Sequence, residues 1–251
     1  MMNTKRYILM NPSFETWQSY VDKIPDIFAT EGDVIYEGRN LIKVLAHNGQ
    51  LINVKRYRVP CFLNRVVYTF FRKPKAKRAF EYAEQIVDKG FNTPTPIAHI
   101  VEKKGGLIAY SYLITCQSPL KRNFYEFGTG EVQEKENILV AFARFTANLH
   151  EAGIYHKDYS PGNILFDVEN NQYVFSIVDI NRMCFGKVNI KKGCKNFERL
   201  WGKTELFKII AKEYANVRGY NEKDCIELVI QYRNKFWKKY ALHHEVGFSL
   251  D

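Results

Sequence analysis

The chain has 251 residues, enough to bury a sizeable core, and 46% of them are hydrophobic and 15% aromatic. That composition excludes a disordered or fibrous chain. Lys and Arg number 37 against 27 Asp and Glu, a net charge of +10, so the surface attracts polyanions, although charge alone does not choose between nucleotides, nucleic acids and anionic lipids.

In chain order, the N-terminal apolar run Tyr7 to Met10 is too short for a signal-peptide core or a membrane span, which sets a cytoplasmic expectation with any membrane met from the surface. Residues 14 to 24 read as a short helix capped by Ser13 and ended before Pro25. Strand patterns follow at Asp33 to Glu37, Leu41 to Ala46 and Leu51 to Tyr57, with Asn48-Gly49 as a hairpin turn. A basic connector leads to a helix from about Ala76 to Lys89, stopped by Gly90. Ile97 to Glu102 and Leu107 to Ile114 complete an expected five-stranded antiparallel sheet, with one long helix inserted after its third strand.

Beyond Thr115 the pattern turns helical. Ile138, Leu139, Phe142, Phe145 and Leu149 repeat at helical spacing over 137 to 152, and Gly153 ends the run. Two short strands, Ile164 to Phe166 and Phe175 to Val178, flank the polar turn Glu169-Asn170-Asn171-Gln172. Helical patterns then occupy 196 to 215 and 222 to 241. The expected fold is α+β and two-lobed: a β-rich lobe over 1–114 joined to a helical lobe over 115–251. The five cysteines, at 61, 116, 184, 194 and 225, form no CxxC pair and suit free thiols in a reducing compartment.

The chemistry concentrates in His156-Lys157-Asp158-Tyr159-Ser160-Pro161-Gly162-Asn163, which fits the kinase catalytic-loop pattern H-x-D-x-x-x-x-N. Sixteen residues past Asn163, Asp179 ends a second apolar strand. Asn163 and Asp179 offer hard oxygens of the kind Mg²⁺ prefers. Lys55 lies in the third expected strand, where a kinase keeps its phosphate-binding lysine. For its helix partner, the helical wheel places Glu84 nearer the apolar face than Glu81. Glu81, however, stands nine residues before Gly90, the spacing of small-molecule kinases, so Glu81 is the choice and Glu84 the alternative.

The stretches EGRNLIKV (37–44), INVKRY (52–57), AFEYAEQIVDKGFNTPTPIA (79–98), LHEAGIYHKDYSPGNILFD (149–167) and SIVDINRMCFG (176–186) resemble the lipopolysaccharide kinase family. Its members phosphorylate Kdo or heptose in the inner core of a glycolipid. The likeness runs from about Gly32 to Leu206, and the loop is also similar to that of aminoglycoside phosphotransferases. The resemblance implies a protein-kinase-like fold with 1–114 as the nucleotide-binding lobe and 115–251 as the catalytic lobe. It implies that Asp158 handles the proton of the attacking hydroxyl, that Asn163 and Asp179 hold Mg²⁺, and that Lys55 binds the α/β-phosphates of ATP. It further places Gly38 in the loop over the nucleotide and Ile114, Cys116 and Leu165 among the nucleotide-binding residues.

This chain departs from the kinase pattern in three places. Glu37-Gly38-Arg39-Asn40 offers one glycine where a G-x-G-x-x-G is usual, and Asp179-Ile180-Asn181 stands for D-F-G. Ser160 occupies the place of a lysine, which leaves Arg182 as the candidate for transition-state charge. Only about sixteen residues separate Asp179 from the helix expected near Asn196, and no A-P-E follows, so no protein substrate is expected. No aromatic-plus-basic recognition motif points to nucleic acid. The basic runs Arg72 to Arg78 and Lys187 to Lys195 instead fit an acidic sugar or an anionic membrane surface. The expected reaction is transfer of the γ-phosphate of ATP to a glycolipid sugar, with an aminoglycoside-like or metabolite kinase, or a module without turnover, as the alternatives.

Overall fold

Left-handed backbone falls at three two-residue hairpin loops. Asn48 and Gly49 (φ 49° and 75°), Gly105 and Gly106 (φ 61° and 79°), and Asn170 and Asn171 (φ 49° and 59°) each carry two positive φ angles in succession. That pairing matches the twist of the strands it joins. The computed structural model describes residues 4–128, 132 and 135–248. Its backbone divides into two compact units, Met1–Asp88 with Thr93–Pro119, and Lys89–Asn92 with Leu120–Asp251.

The first unit is built on an antiparallel sheet of β1 (Thr4–Met10), β2 (Asp33–Glu37), β3 (Asn40–His47), β4 (Gln50–Tyr57), β5 (Pro96–Lys104) and β6 (Leu107–Cys116), in the order β1-β5-β6-β4-β3-β2. The sheet therefore has six strands, not the expected five. The addition is β1, paired with β5 from Thr4↔Lys104 to Met10↔Ala98. As an edge strand it exposes Tyr7 and Leu9 while Ile8 and Met10 pack on the core. Apolar residues on both faces hide the period of two that identifies a strand.

The expected helix over 14 to 24 is a 3₁₀ turn, Pro12–Trp17, followed by two single turns, α1 (Gln18–Val21) and α2 (Ile24–Ile27). Asn11 caps it, not Ser13, and its side chain accepts from Ser13 N at 3.0 Å. The chain stays helical through Pro25, which sits in a first turn where its missing N–H costs nothing. Trp17, Val21, Ile24 and Phe28 lie against Ile52, Val54, Ile100, Tyr112 and Ile114 to form the core on this face of the sheet.

Between β4 and β5 stand two helices rather than one: α3 (Phe62–Phe70) in what reads as a basic connector, and α4 (Lys75–Asp88). Helix α4 buries Ala76, Ala79, Phe80, Ala83 and Ile86.

In the second unit, α5 (Glu136–Glu151) precedes the hairpin partners β8 (Ile154–His156) and β11 (Met183–Phe185), and β7 (Arg122–Asn123), β9 (Ile164–Glu169) and β10 (Gln172–Ile177) form a small sheet. Phe124, Phe127, Phe142, Phe166 and Phe175 make its aromatic core. Gly153 (φ 74°) turns the chain out of α5 where a Cβ would stand 3.2 Å from Gly186 O. The helix expected over 196 to 215 is broken: α6 (Ile190–Asn196) and a 3₁₀ turn, Phe197–Arg199, are followed by a separate α7 (Thr204–Arg218). The break centres on Gly202 (φ 128°), where a Cβ would lie 2.9 Å from Leu206 Cδ1. Helix α8 (Glu222–Tyr240) closes the unit. Among the described residues, no helix is long and apolar enough to cross a membrane.

Candidate active site

The run from His156 to Asn163 leaves β8 and enters β9 through one 3₁₀ turn, Pro161–Asn163, and three of its side chains hold it in place. His156 is fully buried. Its Nε2–H donates to Val178 O (2.9 Å), and its Nδ1 accepts from Asp158 N (3.0 Å). One ring therefore ties the start of the loop to the residue before Asp179. Burial holds the imidazole below its usual pKa, which keeps the neutral form this donor–acceptor pair requires.

Tyr159 is also fully buried and shares a hydrogen bond with Thr146 Oγ1 on α5 (2.9 Å), burial pushing the phenol up. Asn163 Nδ2 donates to Asp158 O (2.8 Å) and Ser160 Oγ (3.2 Å), while its backbone oxygen accepts from Val178 N (3.0 Å). The loop and the strand end carrying Asp179 are thus joined at two backbone positions.

Held on both sides in this way, Asp158 keeps a partly exposed carboxylate. Arg199 Nη1 donates to its Oδ1 at 2.7 Å, and Arg182 Nη1 lies 3.8 Å from its Oδ2. Arg182 also accepts from Lys157 N through its backbone oxygen (3.3 Å), so it stands beside the loop. Arg199 was not foreseen. It lies 41 residues from Asp158, in a turn that no motif marks. Its guanidinium is steadied 5.2 Å above the Phe236 ring.

Asp179 has φ 54° and ψ 42°, the left-handed region, and Asn181 Nδ2 donates to its Oδ1 at 2.6 Å. A further chain of bonds secures the loop from behind. His150 Nε2–H donates to Asn196 Oδ1 (2.8 Å), His150 Nδ1 accepts from Tyr214 OH (2.9 Å), and Asn196 Nδ2 donates to His156 O (2.8 Å).

The donor set fits Mg²⁺. Among the described residues no group of three or more His, Cys, Asp or Glu could hold a metal ion, and Mg²⁺ needs fewer, since it keeps waters and takes substrate phosphate oxygens beside one or two protein oxygens. With Nδ2 of Asn163 committed to two acceptors, Oδ1 is the atom left to take a cation, and Asp179 supplies a carboxylate. Leu165 lies in β9 between the buried Ile164 and Phe166 and is half-buried on the opposite face.

In the first unit, Lys55 sits in β4 between Ile42 and Leu113 of the neighbouring strands, its Nζ 5.4 Å over the Tyr57 ring. That face is opposite to the one carrying Ile52 and Val54. Glu81 is half-buried and accepts from Lys73 Nζ with both oxygens (2.9 and 2.8 Å). Glu84, nearer the apolar face by the wheel, is exposed. Its carboxyl is raised by partial burial and by Asp88 and Glu81. Gly38 lies in the short turn joining β2 to β3, where its N–H donates to Asn40 O (3.1 Å). Ile114 is fully buried in the sheet core, so its side chain is unavailable to a ligand and only its backbone can serve. Cys116, the last residue of β6, donates its N–H to Thr95 O (2.9 Å) and has its thiol pushed up by burial.

Known proteins supply an independent comparison. The profile of the lipopolysaccharide kinase (Kdo/WaaP) family matches residues 31–232. A solved structure of WaaP in complex with acyl carrier protein superposes with a TM-score of 0.64 at 15% identity, covering 93% of this chain and 99% of that one. A microcompartment-associated aminopropanol kinase gives 0.51 at 10% identity, over 90% of this chain and 91% of that one. At such identities the superpositions show a shared kinase-like fold and nothing more. No curated protein matches the sequence significantly. Because the family profile runs through both units and over well more than half of the residues, the chain belongs to the lipopolysaccharide kinase (Kdo/WaaP) family and is a phosphotransferase whose acceptor is a hydroxyl group.

Proposed function

We propose that this protein transfers the γ-phosphate of ATP to a hydroxyl of a Kdo-type sugar on a lipid A precursor, at the cytoplasmic face of the inner membrane. In this reading Asp158 orients the acceptor hydroxyl and takes its proton as the bond to phosphorus forms. Lys55 binds the α/β-phosphates, with Glu81 on α4 as its helix partner, and Gly38, the backbone at Ile114 and Cys116, and Leu165 contact the nucleotide. Asn163 and Asp179 would hold Mg²⁺, which neutralises charge on the phosphates when bound. The nucleotide-binding part is assigned to 1–114 and the catalytic part to 115–251.

The observation that carries the choice of acceptor is the pair of guanidiniums at the Asp158 carboxylate, Arg199 at 2.7 Å and Arg182 at 3.8 Å. Two cations at the acceptor end favour an anionic sugar such as Kdo, whose own carboxylate they complement. They repel a polycationic aminoglycoside. A module without turnover has no use for Lys55, Asp158, Asn163 and Asp179 together.

Acceptor competition tests the reading. With ATP and Mg²⁺, a detergent-dispersed Kdo-bearing lipid A precursor should be phosphorylated at least ~100-fold more efficiently than an aminoglycoside or an amino alcohol, a gap of about 3 kcal/mol in transition-state binding. The opposite preference would replace the glycolipid with a soluble substrate.

A further inference from the structure

Helix α3 is built inside out. Two of its polar side chains face the sheet: Arg65 Nε donates to Ile108 O (2.7 Å), Arg65 Nη2 donates to Lys104 O (3.3 Å), and Thr69 Oγ1 accepts from Ile108 N (2.9 Å). The apolar side chains face outward. Phe62, Leu63 and Phe70, with Phe71 just beyond the helix, are 67%, 76%, 67% and 81% exposed, and no residue of α3 is buried. The positions 62, 63, 66, 67, 70 and 71 fall on one side of a helical wheel, so the exposed residues form a single stripe. A soluble surface helix places its stripe the other way round, and an exposed patch of this kind marks a binding face.

Charge identifies the occupant. From residue 38 to residue 80 the chain has eleven Lys and Arg and no Asp or Glu. Arg58, Arg72 and Lys73 flank α3 in sequence and are exposed. A second copy of the chain, itself at +10, would bring like charge to the same patch. An anionic phospholipid surface complements both features, because phosphates meet the guanidinium and ammonium groups while the aromatic rings enter the headgroup–acyl boundary.

We propose that α3 is an interfacial anchor that docks the first unit on an anionic lipid bilayer, with Phe62, Leu63, Val67, Phe70 and Phe71 inserted and Arg58 and Arg72 at the lipid phosphates. The proposal takes its purpose from the glycolipid reading above, but its test needs no kinase substrate.

The full chain is floated with phosphatidylcholine vesicles, with or without about one third phosphatidylglycerol. Wild type should float with the anionic vesicles. The triple variant Phe62→Ser/Phe70→Ser/Phe71→Ser should lose at least ~10-fold in bound fraction, and Arg58→Gln/Arg72→Gln should lose the preference for anionic over zwitterionic lipid. Thermal-shift binding of ATP by both variants should equal that of wild type, which shows that they are folded. Equal flotation of wild type and the serine variant overturns the proposal. So does a wild type that stays unbound, or a wild-type dimer that the serine variant converts to monomer. If the vesicles bind but dispersed glycolipid is not phosphorylated, the proposed function fails and the anchor stands. Phosphorylation without flotation removes the anchor alone.

Discussion

Asp179 occupies backbone space (φ 54°, ψ 42°) that costs an ordinary L-residue roughly 1–2 kcal/mol and costs glycine nothing. A carboxylate is therefore kept there against the local backbone preference, held by Asn181, as strained residues at functional sites often are. Replacing Asp179 by Ala removes the carboxylate and keeps the strain, whereas Gly removes both. Urea unfolding should find Asp179→Gly more stable than Asp179→Ala by about 1 kcal/mol, with phosphotransfer lost in both. Equal stabilities would mean that the backbone relaxes on substitution. At this scale the sequence showed whatever is local. Asp158 and Asn163 share one eight-residue loop, and Asp179 ends the next hairpin. It could not show Arg199, whose tie to Asp158 depends on how α6 and the following turn return to the loop. Nor could it show that Lys73 pairs with Glu81, since a helical wheel sees only its own helix.

Among the elements, those bounded by turn chemistry were legible and those placed by tertiary packing were not. Asn48-Gly49 and the Lys-Lys-Gly-Gly turn revealed two hairpins because paired positive φ needs those residue types. Strand β1 and helix α3 escaped notice because their apolar residues do not all face the core of the fold. Two buried histidines give the elements a pH signature. His99 on β5 has no hydrogen-bond partner for either ring nitrogen among the described residues, and burial followed by the charge of Lys77 lowers its pKa to about 4. His150 on α5 is lowered to about 4, chiefly by burial, but it is bonded to Asn196 and Tyr214. The unfolded chain binds a proton at each as pH falls below the ordinary value near 6.5, and the folded chain does so only near 4. Stability is thus full above about pH 6.5 and is lost towards pH 4, by on the order of 3 kcal/mol per histidine. His99→Leu should flatten that loss and leave stability at pH 7.5 unchanged or higher. His150→Leu should cost roughly 1–3 kcal/mol at pH 7.5, because it strands the buried Asn196 and Tyr214 groups. Unfolding curves at pH 7.5 and 4.5 decide; an undiminished pH dependence in His99→Leu would contradict the assignment.

For the whole molecule, composition and motif order announced a basic, two-lobed phosphotransferase, and the family profile over residues 31–232 agrees. Two features came from the fold alone: the guanidinium of Arg199, which joins Arg182 at the Asp158 carboxylate, and the outward apolar face of α3. They support the two proposals made above, an anionic sugar as acceptor and a lipid surface as docking partner. The central claim is that Asp158 serves the transfer of phosphate to such a sugar. It is tested most directly by incubating wild type and Asp158→Asn with ATP, Mg²⁺ and a Kdo-bearing lipid A precursor and following the lipid by mass spectrometry. Wild type should add one phosphate to the lipid, and the variant should do so at a rate lower by about 10²–10⁴-fold. Equal rates for the two, or no gain with wild type, would contradict it.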